Sequence, residues 1–233
     1  MVFLFYTKAK LKRLMFMKLE LNIPESLQDI TLGQYQKFQL IEEPTNEDLL
    51  TIFLNVNINV VRQIKSSEFD RLALHINSLF KQEQKHRLKF KLKGVSMGFI
   101  PNLDEISYGE NKDVTTYISD WQTMNKAMSV LYRPIELSRR GKYTIKEYEG
   151  TRGSEAYRDM PLSIVMGAMV FFYNLTNELL KAIPNYLAKE STKAQMKGRI
   201  SVENGEAIKK STHLLKEMLE DLMTLQDYRY TNA

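Results

Sequence analysis

The chain has 233 residues, of which 43% are hydrophobic and 26% are charged. A chain of this length and composition can bury a real core, which excludes disorder along its whole length. It contains no cysteine, which excludes disulfides, thiolate metal ligands and a cysteine nucleophile. The formal net charge is +5, and the location of this charge is more informative than its size.

The excess of positive charge belongs to a basic N-terminal arm, residues 1–18. Five basic residues precede the first acid, Glu20, and these are Lys8, Lys10, Lys12, Arg13 and Lys18. The other 28 basic residues are balanced by 28 acidic ones, which argues against a general nucleic-acid binder. In the arm the apolar residues precede the charges, which is the reverse of a secretory signal. The apolar run is also too short to span a bilayer, so we expect no membrane insertion.

Three interpretations of the arm remain open. Translation from Met15 or Met17 would leave most of it out of the protein. Otherwise the arm packs on a neighbouring subunit, or it contacts nucleic acid through its basic residues.

After the arm, we expect an α+β body over residues 19–188, mainly helical with a small antiparallel sheet and a central apolar helix. Residues 189–205 are polar and lack a sustained apolar face, which predicts a linker. Beyond it, apolar residues at helical spacing predict a C-terminal helix within residues 206–233.

Helices dominate the predicted elements before residue 81. Thr31 is expected to cap the first helix, because its side chain can accept a backbone hydrogen bond at a helix start. In chain order, we predict a strand over Phe16–Ile23, a helix over Leu32–Glu43, a helix opening at Asn46, a short helix over Val56–Ile64, and a helix capped by Ser66 or Ser67 that runs through Phe80.

Lys85–Lys93 is the clearest predicted strand, because apolar and basic residues alternate along it. The basic positions are Arg87, Lys89, Lys91 and Lys93. We favour a half-buried strand with a solvated basic face, as at a sheet edge where lysine discourages pairing with another chain. The alternative is a basic stripe that contacts DNA or an acidic neighbour. No aromatic residue interleaves on the basic face, so the stripe offers no platform for base stacking.

The predicted elements after this strand lead to the central helix. The almost wholly apolar run Leu162–Tyr173 predicts that this helix is buried, and Gly167 and Ala168 would allow close approach of a neighbouring element. In chain order, we predict a strand over Gly94–Ile100, a loop through Tyr108–Asn111, a helix from Val114 capped by Asp113, a helix over Trp121–Leu131 preceded by Asp120 and ended by Arg133-Pro134, a turn at Arg139-Arg140-Gly141, a strand over Lys142–Tyr148, and the central helix from Leu162 to Leu187.

The sequence holds no recognisable catalytic constellation. Nucleotide-binding glycine loops and the nucleophile elbow are absent. The three histidines lie in separate predicted elements without metal-ligand spacing. The acids that cluster between the strands are better read as helix caps and solvated charges than as an acid–base pair; they are Asp104, Glu105, Glu110 and Asp113. We therefore expect no enzyme, no metal, no cofactor and no small-molecule substrate.

Two groups of residues are candidates for a subunit interface. Trp121, Tyr132 and Arg133 lie on or just after one predicted helix, and such residue types carry much of the binding energy at interfaces. The second group is the apolar stripe of the predicted C-terminal helix, Leu215, Leu219 and Leu222.

Several stretches of the sequence, here called phrases, resemble virion and tail-assembly proteins of tailed bacteriophages, in particular those of crAss-like phages of gut Bacteroidetes. The likeness covers about Leu19–Leu187. The phrases are Ile30–Tyr35, Ile100–Ile135 with Asp113, Trp121 and Leu131-Tyr132-Arg133-Pro134, Asp159-Met160-Pro161-Leu162, and Phe171-Phe172-Tyr173.

This resemblance implies a virion protein that is made in the cytoplasm of the bacterial host and has no catalytic task. Its partners would be copies of itself and portal or tail components, in a ring or adaptor at the portal–tail junction. One alternative is a tail-assembly chaperone. The other is a packaged phage protein that contacts DNA.

Overall fold

The computed structural model describes residues 5–6, 18–19 and 21–175. Two short strands, β1 (Phe5–Tyr6) and β2 (Lys18–Leu19), pair antiparallel. Of the predicted strand Phe16–Ile23, only β2 is seen, because residues 21–24 have no regular structure. The predicted linker, the C-terminal helix and most of the basic arm lie outside the described residues, so the division into these segments stays a prediction.

Four helices follow, largely where periodicity predicts them. They are α1 (Leu32–Gln39), α2 (Asn46–Phe53), α3 (Ile58–Val61) and α4 (Ser66–Phe80). The Thr31 cap is confirmed: its hydroxyl accepts from the Gln34 N–H while the Gln34 side chain bonds back to Thr31. The serine cap predicted for α4 is wrong, because Lys65 holds that position without a side-chain bond.

The sheet has four antiparallel strands in sequence order, β3 (Lys89–Leu92), β4 (Val95–Phe99), β5 (Tyr132–Arg139) and β6 (Lys142–Ile145). The β3–β4 and β5–β6 hairpins turn through two residues each, Lys93-Gly94 and Arg140-Gly141, all with positive φ. This is the turn that matches strand twist, and glycine adopts it without strain. The predicted turn at Arg140-Gly141 is confirmed, and β3 lies at the sheet edge as its lysines indicate.

Between β4 and β5 lie α5 (Tyr108–Tyr117) and α6 (Met124–Leu131). The predicted loop at Tyr108–Asn111 and the predicted Asp113 cap are both wrong. Ser107 caps α5 through a reciprocal bond with Glu110, so the helix starts about two turns before the predicted position and Asp113 lies inside it.

The predicted Asp120 cap is confirmed, because its carboxylate accepts from the Gln122 N–H at the start of a 3₁₀ turn, Trp121–Thr123, that leads into α6. The chain then passes from α6 directly into β5, which the sequence analysis missed because Pro134 lies in it. The Pro134 carbonyl accepts from the Lys146 N–H just beyond β6. The Pro134 nitrogen points to the same side as its carbonyl, toward the end of the β5–β6 pairing. The N–H that proline lacks therefore costs no hydrogen bond to β4.

A seventh helix, α7, is described over residues 162–175, and residues 162–169 are all buried. It starts directly after Pro161, as the sequence predicts. The predicted α+β class is confirmed: helices and the antiparallel sheet share one hydrophobic cluster. Within the described ranges, no helix combines the length and the apolarity needed to cross a bilayer.

Gly167 permits the close approach that the sequence predicts. A Cβ at this position would lie 2.5 Å from the Lys85 carbonyl oxygen and 3.2 Å from the His86 Cα. Both neighbours are backbone atoms of the segment that leads into β3, so they cannot rotate away. The contact therefore fixes the distance between α7 and the sheet.

We expect Gly167→Ala to lower the free energy of unfolding by about 1–3 kcal/mol, because the new methyl group must push the backbone at Lys85 aside. Urea denaturation measures this. Gly109→Ala is the matched control: its Cβ would meet only the Tyr148 ring at 3.4 Å, so α5 should be unchanged or more stable. Equal stability of both variants would contradict the close contact.

Candidate functional site

Two residues predicted at a subunit interface belong instead to the interior of the chain. Trp121 is 5% exposed and Tyr132 is 0% exposed. The Trp121 ring meets the Tyr35 ring edge to face, with centroids 4.6 Å apart. Periodicity marks an apolar face without saying what covers it, and here both side chains are covered by their own chain.

Tyr132 joins three parts of the fold. Its hydroxyl donates to the Arg87 carbonyl at 2.8 Å, and its own carbonyl accepts from the Tyr157 hydroxyl at 2.7 Å. Its ring packs edge to face on Phe90 and Phe99, with centroids 5.3 and 5.1 Å away. The start of β5 is therefore attached to β3, to β4 and to the segment before α7.

We expect Tyr132→Phe to lower the free energy of unfolding by about 1–2 kcal/mol, because the Arg87 carbonyl loses its buried donor. Thermal and urea unfolding measure the change. Tyr108→Phe is the control, since Tyr108 is 82% exposed and its hydroxyl is solvated. A Tyr132→Phe variant as stable as the control would show that water replaces this hydrogen bond without loss.

Arg133, the third predicted interface residue, also faces inward. Its side chain is 11% exposed and pairs with Glu110, which is 9% exposed, at 2.5 Å. The guanidinium lies 5.8 Å from the centroid of the Tyr148 ring, and the Tyr148 hydroxyl donates to Asp113. The two acids from the predicted loop, Glu110 and Asp113, thus hold β5 and the segment after β6 onto α5. This is a structural use of Arg133 within the chain.

Two opposing effects act on the Glu110 carboxyl. Burial alone would raise its pKa, but hydrogen bonds from Ser107 and the charge of Arg133 outweigh burial, and the pKa of Glu110 lies below its usual 4.5. Because the unfolded chain takes up the proton first, this pair contributes stability above about pH 4.5 and loses it as the pH falls through the lowered value.

We expect the stability of the native chain to fall below about pH 4.5, and this part of the acid loss to disappear in Glu110→Gln, which carries no titrating carboxyl. Urea midpoints measured from about pH 7 down to about pH 3 give the comparison. Glu105→Gln removes an exposed carboxylate and serves as control. An acid dependence of Glu110→Gln as steep as that of the control would exclude Glu110 as its source.

Of the predicted strand Lys85–Lys93, only Lys89–Leu92 is a strand. Its predicted basic positions, Arg87, Lys89, Lys91 and Lys93, are all exposed. Lys93 pairs with Asp159, which lies in the segment before α7. The Lys89 Nζ lies 4.5 Å from the centroid of the Tyr143 ring. An aromatic side chain thus does lie beside the basic residues, but it comes from β6 and not from β3.

Tyr143 folds the β5–β6 hairpin back over the sheet. Its hydroxyl donates to the Phe99 carbonyl at 2.7 Å and lies 3.3 Å from the Leu88 carbonyl. Its ring covers Gly98, where a Cβ would lie 2.5 Å from a ring carbon. The Tyr143 side chain therefore joins β6 to the start of β3, and the neighbouring basic residues of the β5–β6 hairpin, Arg139, Arg140 and Lys142, are all exposed.

The contact between these two hairpins was not predicted from the sequence. Tyr143 and Leu88 are 55 residues apart, and no local pattern reports such a contact. One signal was present, because a glycine inside a strand, as at Gly98, marks the close approach of another group. The basic surface formed by β3 and the tip of the β5–β6 hairpin is the candidate functional site, and we call it the basic sheet surface.

A second candidate is an open groove of about 530 Å³. Two of its polar side chains are already used within the chain: the Asp29 carboxylate accepts from the backbone of Glu25 and Ser26, and the Gln34 amide donates to the Ile52 carbonyl. The groove therefore offers few groups aimed at a ligand.

Within the described ranges, no group of three or more acidic or histidine side chains is placed to hold a metal ion. The predicted interface residues Leu215, Leu219 and Leu222 lie outside the described residues. Comparison of the chain with family models, characterised proteins and solved structures finds no match.

Proposed function

We propose that the chain is a structural subunit of a tailed-phage virion, a ring or adaptor component at the portal–tail junction that acts through assembly. The observation that supports the proposal is the location of the phrases that resemble phage virion proteins. They lie far apart in the sequence but touch one another in the fold.

The first contact joins α1 to the start of α7. The Leu32 N–H donates to the Met160 carbonyl at 2.9 Å, and the Leu162 N–H donates to the Ile30 carbonyl at 2.8 Å. Thr31 and Pro161 form a β-bridge between these bonds. Two of the phrases thus form one hydrogen-bonded junction.

The other phrases complete the same unit. The Ile100–Ile135 phrase includes Trp121, which packs on Tyr35, and Tyr132, whose ring contacts Phe99. Phe171 from α7 packs edge to face at 5.6 Å on Phe99, which directly precedes the Ile100–Ile135 phrase. A likeness borne by residues that pack together fits a shared fold.

In this proposal the α+β body sets the geometry of a ring. The basic arm and the segment 206–233 contact neighbouring copies, and heterologous contacts of this kind close into a ring when the rotation between subunits allows it. The partners are copies of the chain and portal or tail components, and the location is the virion. We propose no enzymatic activity.

We expect the purified full chain to form a defined oligomer, and removal of residues 1–18 or 206–228 to reduce it to monomers. Native mass spectrometry and light scattering measure the mass. A sharper variant changes Leu215, Leu219 and Leu222 to serine together, because these side chains would supply the apolar contact.

The matched control changes Lys210, Glu217 and Asp221 to serine, three polar positions of the same segment. A strictly monomeric full chain, or triple variants that assemble alike, would contradict the proposal. Mass spectrometry of purified particles tests location: a tail-assembly chaperone would be absent from them, and a structural subunit would be present in fixed stoichiometry.

A further inference from the structure

Positive charge is segregated onto the sheet although the chain outside the basic arm is neutral on average. From Lys85 to Phe99 there are five basic residues and no acid. The β5–β6 hairpin, Tyr132–Ile145, has four basic residues and one acid, Glu136. Averaging over the chain hides this excess, because the balancing acids lie elsewhere, on helices and connecting segments.

Two of these nine basic residues form ion pairs within the chain. Arg133 is paired with Glu110, and Lys93 with Asp159. The others are exposed, and Tyr143 brings the two hairpins together through Leu88 and Phe99. They are Lys85, Arg87, Lys89, Lys91, Arg139, Arg140 and Lys142. The basic sheet surface therefore combines exposed positive charge from two hairpins that Tyr143 joins, and is more than the solvated face of one strand.

The positive charges of the basic sheet surface favour a polyanionic partner whose charges are regularly spaced. Alternate residues of a strand project on one face about 6.6–6.8 Å apart, which sets Lys89 and Lys91 of β3 at a spacing comparable to that of successive phosphates, with Arg87 just before the strand. A protein interface would need apolar or aromatic anchors at its centre. The two hairpins expose Leu88, Val95 and Leu137, so an acidic protein is the competing partner that the test must exclude. The aromatic residue on this face, Tyr143, packs on Gly98 beneath Lys89.

The packing of the Tyr143 ring favours duplex over single-stranded nucleic acid as the partner. Single-strand binders stack bases on free aromatic faces, and here the aromatic ring is already covered on one side by the sheet and approached by Lys89 on the other. Phosphate contact without base stacking suits a duplex, whose bases are already stacked on one another.

We propose that the basic sheet surface binds the phosphate backbone of duplex DNA without reading its sequence. This inference stands on the charges and geometry of the surface and does not require the virion assignment. Within a virion, it would give the subunit a face for the packaged genome.

Fluorescence anisotropy of the full chain with a short labelled duplex, over about 50–200 mM salt, tests the proposal. We expect the logarithm of affinity to fall linearly with the logarithm of salt, with each phosphate contact contributing about 0.9 to the slope. Arg87→Glu with Lys91→Glu, and separately Arg139→Glu with Arg140→Glu, should each weaken binding about tenfold or more and reduce the slope by about 2.

The control is Lys65→Glu with Lys81→Glu, which changes the net charge by the same amount at exposed positions flanking α4. Its affinity and slope should stay close to those of the native chain. No duplex binding at low salt would overturn the proposal, and so would sheet variants that behave like the control. Single-stranded DNA or poly-glutamate that binds as tightly as the duplex would also overturn it, by assigning the surface to another partner.

Discussion

The burial of Tyr132 is the constraint on which the rest of the fold depends. A phenol removed from water needs an acceptor for its hydroxyl, and the acceptor here is the Arg87 carbonyl at the start of the edge hairpin. The backbone of the same residue ends α6 and begins β5. Tyr132 therefore holds α6, the sheet and the segment before α7 together, since Tyr157 of that segment donates to the Tyr132 carbonyl.

Buried polar groups set the remaining relative positions. Gln36 on α1 is 1% exposed, and its amide donates to the Trp121 carbonyl at 2.8 Å and to the Asn125 side chain at 3.2 Å. The Asn125 amide donates in turn to the Ser154 carbonyl. Because an unpaired polar group in the interior is costly, these bonds, with the Arg133–Glu110 pair, favour one arrangement of α1, α5, α6 and β5 over others of similar apolar packing.

Local chemistry explains which parts of the fold the sequence predicts. Thr31 caps its helix and Arg140-Gly141 makes its turn because a few neighbouring atoms decide each outcome. Pro134 hid the strand β5 for a related reason. Proline ends most helices, and whether a strand accepts a proline depends on which neighbouring strand its nitrogen faces. The burial of Trp121 and the meeting of the two basic hairpins could not be predicted, since an apolar face or a charged strand does not specify what lies opposite.

The absence of any loop between α6 and β5 makes the length of this stretch invariant. One residue inserted in α6 would rotate the preceding residues by about 100° about the helix axis relative to β5. One residue inserted in β5 would move its inward-facing side chains to the outer face of the sheet. Chains that diverge from this one can thus change length at the exposed tip of the β5–β6 hairpin but not between Trp121 and Ile135. Insertions in that interval are therefore expected to be rare, whereas β5 already pairs irregularly with β6 between Ile135 and Leu137, where a strand can accept an extra residue as a bulge.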